Sequence, residues 1–276
     1  MRNQKFIKIE DSFIVDQDYR DAFTKLGLNS IDDVFSFSAG ETISKKNLAA
    51  YRSRIKFETN SPKQVLYLKR YDTPPVLLQL KNWFAQRAAK SCGRTDFETS
   101  LEIDRLGINT PKVIAFGEQK GLLFEKRSFF IAENIPDADA IERKLPLCFY
   151  ELQINKSEKK KFIEDAAAFI KKFHETGFRH RDLYFSHIFY DGTGRFFLID
   201  LSRVFRPLFL KQYYLVKDIA QLFYSAPAKS FSNTDRLRFY FAYTGRRSLT
   251  GKDKRFIMKV IKKVSRIARH DKKHNR

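Results

Sequence analysis

Two aspartates sit where their surroundings could make them a working pair. Asp182 lies in the polar stretch His180-Arg181-Asp182-Leu183-Tyr184-Phe185-Ser186-His187. After the turn residues Asp191-Gly192-Thr193-Gly194, the apolar run Phe196-Phe197-Leu198-Ile199 delivers Asp200. A loop with one carboxylate, a tight turn, a buried strand and a second carboxylate at its end can place a proton acceptor and a metal ligand about one phosphoryl group. Phosphoryl transfer asks the protein chiefly to position an acceptor hydroxyl, a nucleoside triphosphate and Mg2+. Asp182 is therefore read as the catalytic base. Asp200 is read as a ligand of Mg2+, a hard cation that takes only one or two protein oxygens in such sites.

The neighbouring residues refine this reading. His187 stands where a protein kinase carries the asparagine that holds a second metal ion. It is read as a metal-site residue, or as a hydrogen-bond partner of Asp182 or of a phosphate. Arg181 and Arg203 add positive charge near the transferred group. A zinc centre built from His180, Asp182 and His187 is set aside, because the chain has only five histidines and shows no zinc-like ligand spacing. His174 and His180 are read as structural.

Taken together, His-Arg-Asp-x-Tyr-x-x-His at 180–187, Ile199-Asp200-Leu201-Ser202-Arg203 and Val216-Lys217-Asp218-Ile219-Ala220-Gln221-Leu222-Phe223-Tyr224-Ser225-Ala226 resemble the lipopolysaccharide kinase family, which phosphorylates inner-core heptose or Kdo sugars. Tyr67-Leu68-Lys69-Arg70-Tyr71, the Leu106–Glu118 stretch with its Gly107-Ile108-Asn109-Thr110-Pro111 turn, and Ser128–Glu133 are similar to it as well. The resemblance runs from about Tyr67 onward, and the first sixty or so residues share little of it. It implies an α+β, bilobal protein-kinase-like fold: a small β-rich nucleotide-binding lobe over residues 1–134 and a larger helical catalytic lobe over residues 135–276. It also implies ATP and Mg2+ as cofactors and a core glycolipid as acceptor.

Elements must exist to carry these residues. Arg54–Phe57 and Gln64–Lys69 read as a hairpin about Asn60-Ser61-Pro62. After an apolar and basic segment from Pro75 to Ala89 and a polar break at Ser91-Cys92-Gly93, a helix holding Phe97, Leu101 and Leu106 stops near Gly107. A strand lysine facing a helix glutamate is the device that steadies the phosphates in kinases. Lys69 is assigned that role, with Glu98 as its partner on the family's spacing and Glu102, on the same helix face, as the fallback. Ser38-Ala39-Gly40-Glu41 is the best candidate for a phosphate loop, but it lacks Gly-x-Gly-x-x-Gly and reads first as a plain surface turn. Strands at Val113–Phe116 and Ser128–Ala132 lead into a lobe connector at Glu133-Asn134-Ile135, whose backbone would read the adenine edge.

In the second half, Phe162, Ile163, Ala166, Phe169, Ile170 and Phe173 recur with helical period, with Ser157 as the expected cap and Gly177 as the stop. Asp218 is expected to brace the catalytic loop. The interval from Asp200 to Asp218 leaves no room for a long activation segment or Ala-Pro-Glu, which argues against a protein Ser/Thr/Tyr kinase, the nearest enzymatic alternative.

Charge bounds the partners. With 53 Lys and Arg against 32 Asp and Glu, the net charge is +21, a field that gathers anionic partners. No zinc-finger, RNA-recognition or helix-turn-helix pattern points to nucleic acid. A catalytically silent protein that holds an anionic glycolipid is the alternative outside enzymes, and the intact Lys69, Asp182 and Asp200 count against it. From Lys252 to Arg276 there are eleven Lys and Arg, with Phe256, Ile257, Val260, Ile261, Val264, Ile267 and Ala268 on one face. This helix either docks on the large lobe, or rests its basic side on anionic lipid, or does both. The N-terminus lacks the apolar core of a secretory signal and no run is long enough to span a bilayer, so the expected location is the cytoplasm, peripherally at the inner membrane. Cys92 and Cys148 offer no disulfide framework and read as packing residues.

Overall fold

A computed structural model of the chain describes residues 4–43, 49–146 and 155–273. The fold divides between Ile135 and Pro136 into two compact units. Cys148 lies outside the described residues, as do the ends of the chain at 1–3 and 274–276.

The N-terminal unit is built on an antiparallel sheet of β1 (Phe6–Glu10), β2 (Phe13–Asp16), β3 (Glu41–Thr42), β4 (Arg52–Asn60), β5 (Lys63–Asp72), β6 (Val113–Lys120) and β7 (Glu125–Glu133), in the order β1-β2-β6-β7-β5-β4-β3. The expected hairpin is β4–β5, tightly closed at Ser61-Pro62 and longer at both ends than the apolar alternation suggested. Period-two alternation sorts the two faces of the sheet. Leu66, Leu68, Phe129 and Ile131 pack with Phe13, Phe23 and Val34 under the short helices α1 (Arg20–Lys25) and α2 (Ile31–Ser36). Phe116, Phe130 and Ala132 turn the other way and meet Phe97. The first sixty residues thus supply two strands at each edge of the sheet, β1 and β2 at one and β4 and β3 at the other, and a helical cover to one face.

On the second face lies α4 (Cys92–Arg105), with α3 (Val76–Gln86) packed beside it. Ser91 caps α4 by accepting a hydrogen bond from the Arg94 N–H at 3.1 Å. Gly93 lets its first turn touch β7: a Cβ there would stand 2.7 Å from the Phe129 carbonyl oxygen, and the Gly93 N–H donates to Ser128 Oγ at 2.8 Å. Cys92 is buried beside it, and burial pushes its thiol pKa up, so it behaves as a packing residue.

In the C-terminal unit, β8 (Asp139–Ala140), β9 (Ile188–Tyr190) and β10 (Phe196–Leu198) form a small antiparallel sheet beside α5 (Ile141–Pro146). The long helix is α6 (Lys156–Glu175), with Phe162, Ile163, Ile170 and Phe173 buried. Its cap is Asn155 rather than Ser157. The Asn155 side chain accepts from the Glu158 N–H at 2.9 Å and the Glu158 carboxylate accepts from the Asn155 N–H at 3.1 Å, a reciprocal pair that a serine two residues later cannot make. Then come α7 (Lys211–Ser225), α8 (Asn233–Thr244), whose periodicity was not anticipated, and α9 (Gly251–Lys273). Val260 of α9 is buried and Phe256, Ile257, Val264 and Ile267 are half-buried where the helix meets α7, whereas Ile261 and Ala268 of the expected stripe are exposed; most of its basic residues are exposed too, with Lys263 lying over the Tyr213 ring of α7. No helix among the described residues is long and apolar enough to cross a membrane.

Candidate active site

The loop that carries Asp182 is pinned to α7 residue by residue. The N–H groups of His180 and Arg181 both donate to the Asp218 carboxylate at 2.8 Å. The Leu183 N–H donates to Gln221 Oε1 at 3.2 Å and the Phe185 N–H to Ser225 Oγ at 3.0 Å. Residues 218, 221 and 225 are spaced three and four apart, so they form one stripe along the helix, and the loop runs beside it. Each bond satisfies a main-chain donor that an irregular segment would otherwise leave unpaired. Burial alone would raise the Asp218 pKa. Hydrogen bonds from His174 and the loop N–H groups outweigh it and hold the carboxyl below the usual aspartate range. His174 donates Nε2–H to Asp218 at 3.3 Å and accepts from the Tyr243 hydroxyl at Nδ1, 2.9 Å away, so its role is structural as expected from the sequence.

This anchoring holds Arg181 at a φ of +70°, a left-handed backbone costly for a residue with a side chain. The turn throws the Arg181 guanidinium over the Phe205 ring, 5.1 Å from its centroid, and leaves the next residue to present its carboxylate. Arg203 Nη1 donates to Asp182 Oδ2 at 2.6 Å. Of the two arginines singled out in the sequence, Arg203 thus touches Asp182 directly, while Arg181 acts on it through charge. Lys217, half-buried on α7, feels Asp182 and both arginines, and burial holds its ammonium below the ordinary lysine pKa.

His187 Nδ1 faces the Asp182 carbonyl oxygen at 2.7 Å. A carbonyl only accepts, so Nδ1 carries the proton, and in the neutral ring Nε2 carries a lone pair. That lone pair faces Asp200 Oδ2 across 3.9 Å. Two electron-rich donors aimed at one another fit a divalent cation between them. Two protein donors suit an ion that keeps most of its waters; among the described residues no group of three or more His, Cys, Asp or Glu could hold a metal. Asp200 has left-handed φ and ψ of 56° and 58°, which turns its carboxylate off the line of β10. His180 locks this corner: its Nε2–H donates to the Ile199 carbonyl at 3.1 Å, its ring stacks on His187, and burial keeps it neutral.

In the N-terminal unit, Lys69 points to the α4 face of the sheet with its Nζ 3.6 Å from Asp96 Oδ2. Asp96 is 1% exposed and also accepts from the Tyr71 hydroxyl at 2.6 Å. The expected partner Glu98 is instead bound by Lys90 Nζ at 2.7 Å and Arg94 Nη1 at 3.4 Å. The reason is helical phase: two residues from Asp96 along α4 is about 200° of rotation, which turns Glu98 away from Lys69 to a half-buried place, and Glu102, one turn on, is exposed.

Gly40 precedes β3 and has a φ of +131°; a Cβ there would lie 2.5 Å from the Lys56 carbonyl oxygen, so β4 beside it already accounts for the glycine without any phosphate. At the connector, the Glu133 N–H donates to the Lys112 carbonyl and the Asn134 N–H to the Val65 carbonyl, each at 2.8 Å. The Glu133 carboxylate accepts from the Tyr19 hydroxyl and lies 3.7 Å from Lys112 Nζ. Ile135, 6% exposed, follows them.

Asp96, Lys217, Gln221 and Ser225 were not anticipated as site residues. The signal for three of them was present, as polar side chains at 217, 221 and 225 about Asp218 in an otherwise apolar helix.

The sequence model of the lipopolysaccharide kinase (Kdo/WaaP) family matches residues 80–243, more than half of the chain. A solved structure of WaaP in complex with acyl carrier protein shares the fold, with a TM-score of 0.69 and 16% identity over 92% of this chain and 98% of that one. No curated protein is a significant sequence match.

Proposed function

The chain belongs to the lipopolysaccharide kinase (Kdo/WaaP) family, a kinase family with a protein-kinase-like fold, and from that premise we propose that it transfers the γ-phosphate of ATP to a sugar hydroxyl, of heptose or Kdo, in the lipopolysaccharide inner core. The observation that carries the reading is the Asp182 carboxylate, held by a loop pinned to α7 and clamped through Oδ2 by Arg203. The clamp presents the other oxygen, Oδ1, to the acceptor hydroxyl, which it orients and relieves of its proton as the hydroxyl attacks. Asp200 and His187 would hold Mg2+, which when bound neutralises charge on the phosphate oxygens. Lys69, braced by Asp96, is assigned to the phosphates, and Ile135 to the adenine edge, since the N–H groups of Glu133 and Asn134 are already engaged. Arg203 and Lys217 supply positive charge where the transition state gathers negative charge.

The acceptor is a phosphate-bearing glycolipid, so the protein works at the cytoplasmic face of the inner membrane, held peripherally by its basic surface. The test offers [γ-32P]ATP with core glycolipid purified from cells lacking the gene, and separately with a peptide mixture. Label on the core sugar is the expected result. Label on peptides alone would return the protein-kinase alternative, and glycolipid retention without ATP turnover would return the binding protein.

A further inference from the structure

Helix α3 is tied down along one side only. Gln79, 2% exposed, donates to the Pro74 carbonyl at 2.8 Å and accepts from the Glu125 N–H at 2.8 Å. One turn later Trp83 stacks on Phe124 with ring centroids 5.3 Å apart and donates its indole N–H to the Lys90 carbonyl. These bonds fix the helix against the start of β7 and bring the turn between β6 and β7 beside it. The opposite side of α3 presents Leu77, Leu80 and Phe84 at helical spacing, 71%, 45% and 90% exposed, and the turn presents Leu122 and Leu123, 99% and 71% exposed. Five large apolar side chains on one edge of a unit that has its own filled core mark an interaction surface.

The exposed charges on α3 and in the turn itself are lysines, with acids only at the margin, where Lys120 Nζ lies 3.5 Å from Glu118 and Asp72 precedes the helix. Lys81 lies on the exposed side of α3, and Lys120 and Lys126 flank the turn, all three exposed. Residues 74–90 contain no Asp or Glu, and the one acid within 119–127, Glu125, is buried. A second copy of a chain with net charge +21 would meet like charge here. Protruding leucines and a phenylalanine inside a lysine rim match the interfacial zone of an anionic bilayer, with acyl chains below and anionic headgroups level with the lysines.

We propose that the outward face of α3, with Leu77, Leu80 and Phe84, and the turn carrying Leu122 and Leu123 insert into an anionic lipid surface, with Lys81, Lys120 and Lys126 at headgroup level. The inference rests on the reading of a membrane-held acceptor, and places a membrane contact on the nucleotide-binding unit in addition to the basic outer side of α9.

The protein carries its own probe, because Trp83 on α3 is its only tryptophan. The full chain is mixed with phosphatidylglycerol-containing vesicles, with and without brominated acyl chains, and followed by Trp83 fluorescence and by co-sedimentation. Expected are quenching by brominated lipid and, in the variant combining Leu77→Ser, Phe84→Ser, Leu122→Ser and Leu123→Ser, loss of quenching with partition weaker by at least about tenfold. The variant's melting temperature and its turnover on delipidated core oligosaccharide should match the parent. Co-sedimentation without quenching, or unchanged partition of the variant, would overturn the proposal while leaving the membrane reading in place through α9. A parent that ignores the vesicles altogether overturns both. So does one that ignores them yet is captured through these residues by an acidic protein, which makes the patch a protein-docking surface.

Discussion

The base proposed at Asp182 needs a carboxylate that is held still, and Arg203 and the pinned loop hold it. Replacing it by asparagine keeps the shape and a hydrogen bond for Arg203 but removes the proton acceptor. Asp182→Asn should leave the affinity for ATP, read by calorimetry, close to the parent and lower kcat by roughly two to four orders of magnitude. A kcat within about threefold of the parent would remove the assignment. The residue that steadies Lys69 was not legible in the same way. Asp182 and Asp200 could be read because loop, turn and strand fix them within a short local stretch. Asp96 depends on the phase with which α4 meets the sheet, and that phase is set by Gly93 against Phe129, a long-range contact with no local signature. Asp96→Ala should therefore weaken ATP binding about tenfold or more, on the scale of about 1.4 kcal/mol per decade, while Glu98→Ala should leave it within about twofold. Titration of both variants with ATP ranks the two partners directly.

Elements with their own periodicity were legible: α6 from its apolar stripe, the β4–β5 hairpin from alternation about Asn60-Ser61-Pro62, and α4 from its polar break and its stop at Gly107. What escaped was their use of polar residues. In α7 the bracing role of Asp218, which accepts two main-chain N–H groups, is legible in the sequence, whereas Gln221 and Ser225 read as minor interruptions of an apolar helix and only the loop laid beside them shows each accepting one. The middle rung is the most informative to remove, because it touches no ionised group and flanks the residue after Asp182. Gln221→Leu keeps the bulk but strands the buried Leu183 N–H, at a cost of about 1–3 kcal/mol. Thermal unfolding should register that loss as a lowered melting temperature. If the rung positions the loop as well as stabilising it, kcat measured well below the transition should also fall while the KM for ATP stays put. A melting shift with unchanged kcat would reduce Gln221 to a structural bond.

At the scale of the whole chain, charge is the property that composition states most plainly and local pattern least explains. The excess of 21 positive charges is not consumed by internal pairing: α9 alone turns a row of lysines and arginines outward, while Val260 and its half-buried apolar neighbours meet α7. The first sixty residues share little of the family resemblance, and β1 to β3 and the two six-residue helices among them are too short to show a period. They nevertheless complete the sheet, and Tyr19 reaches from them to the Glu133 carboxylate at the connector. A surface so one-sided should act at long range on an acceptor rich in phosphate and carboxylate, raising its local concentration without touching the chemistry of transfer. Salt separates the two contributions, since the screening length falls from about 10 Å at 0.1 M to about 3 Å at 1 M. Raising salt across that range should increase the KM for core glycolipid by about tenfold or more, with kcat at saturating glycolipid held within about twofold. A glycolipid KM indifferent to salt would mean that the acceptor is recognised by short contacts alone, and that the charge serves some other partner.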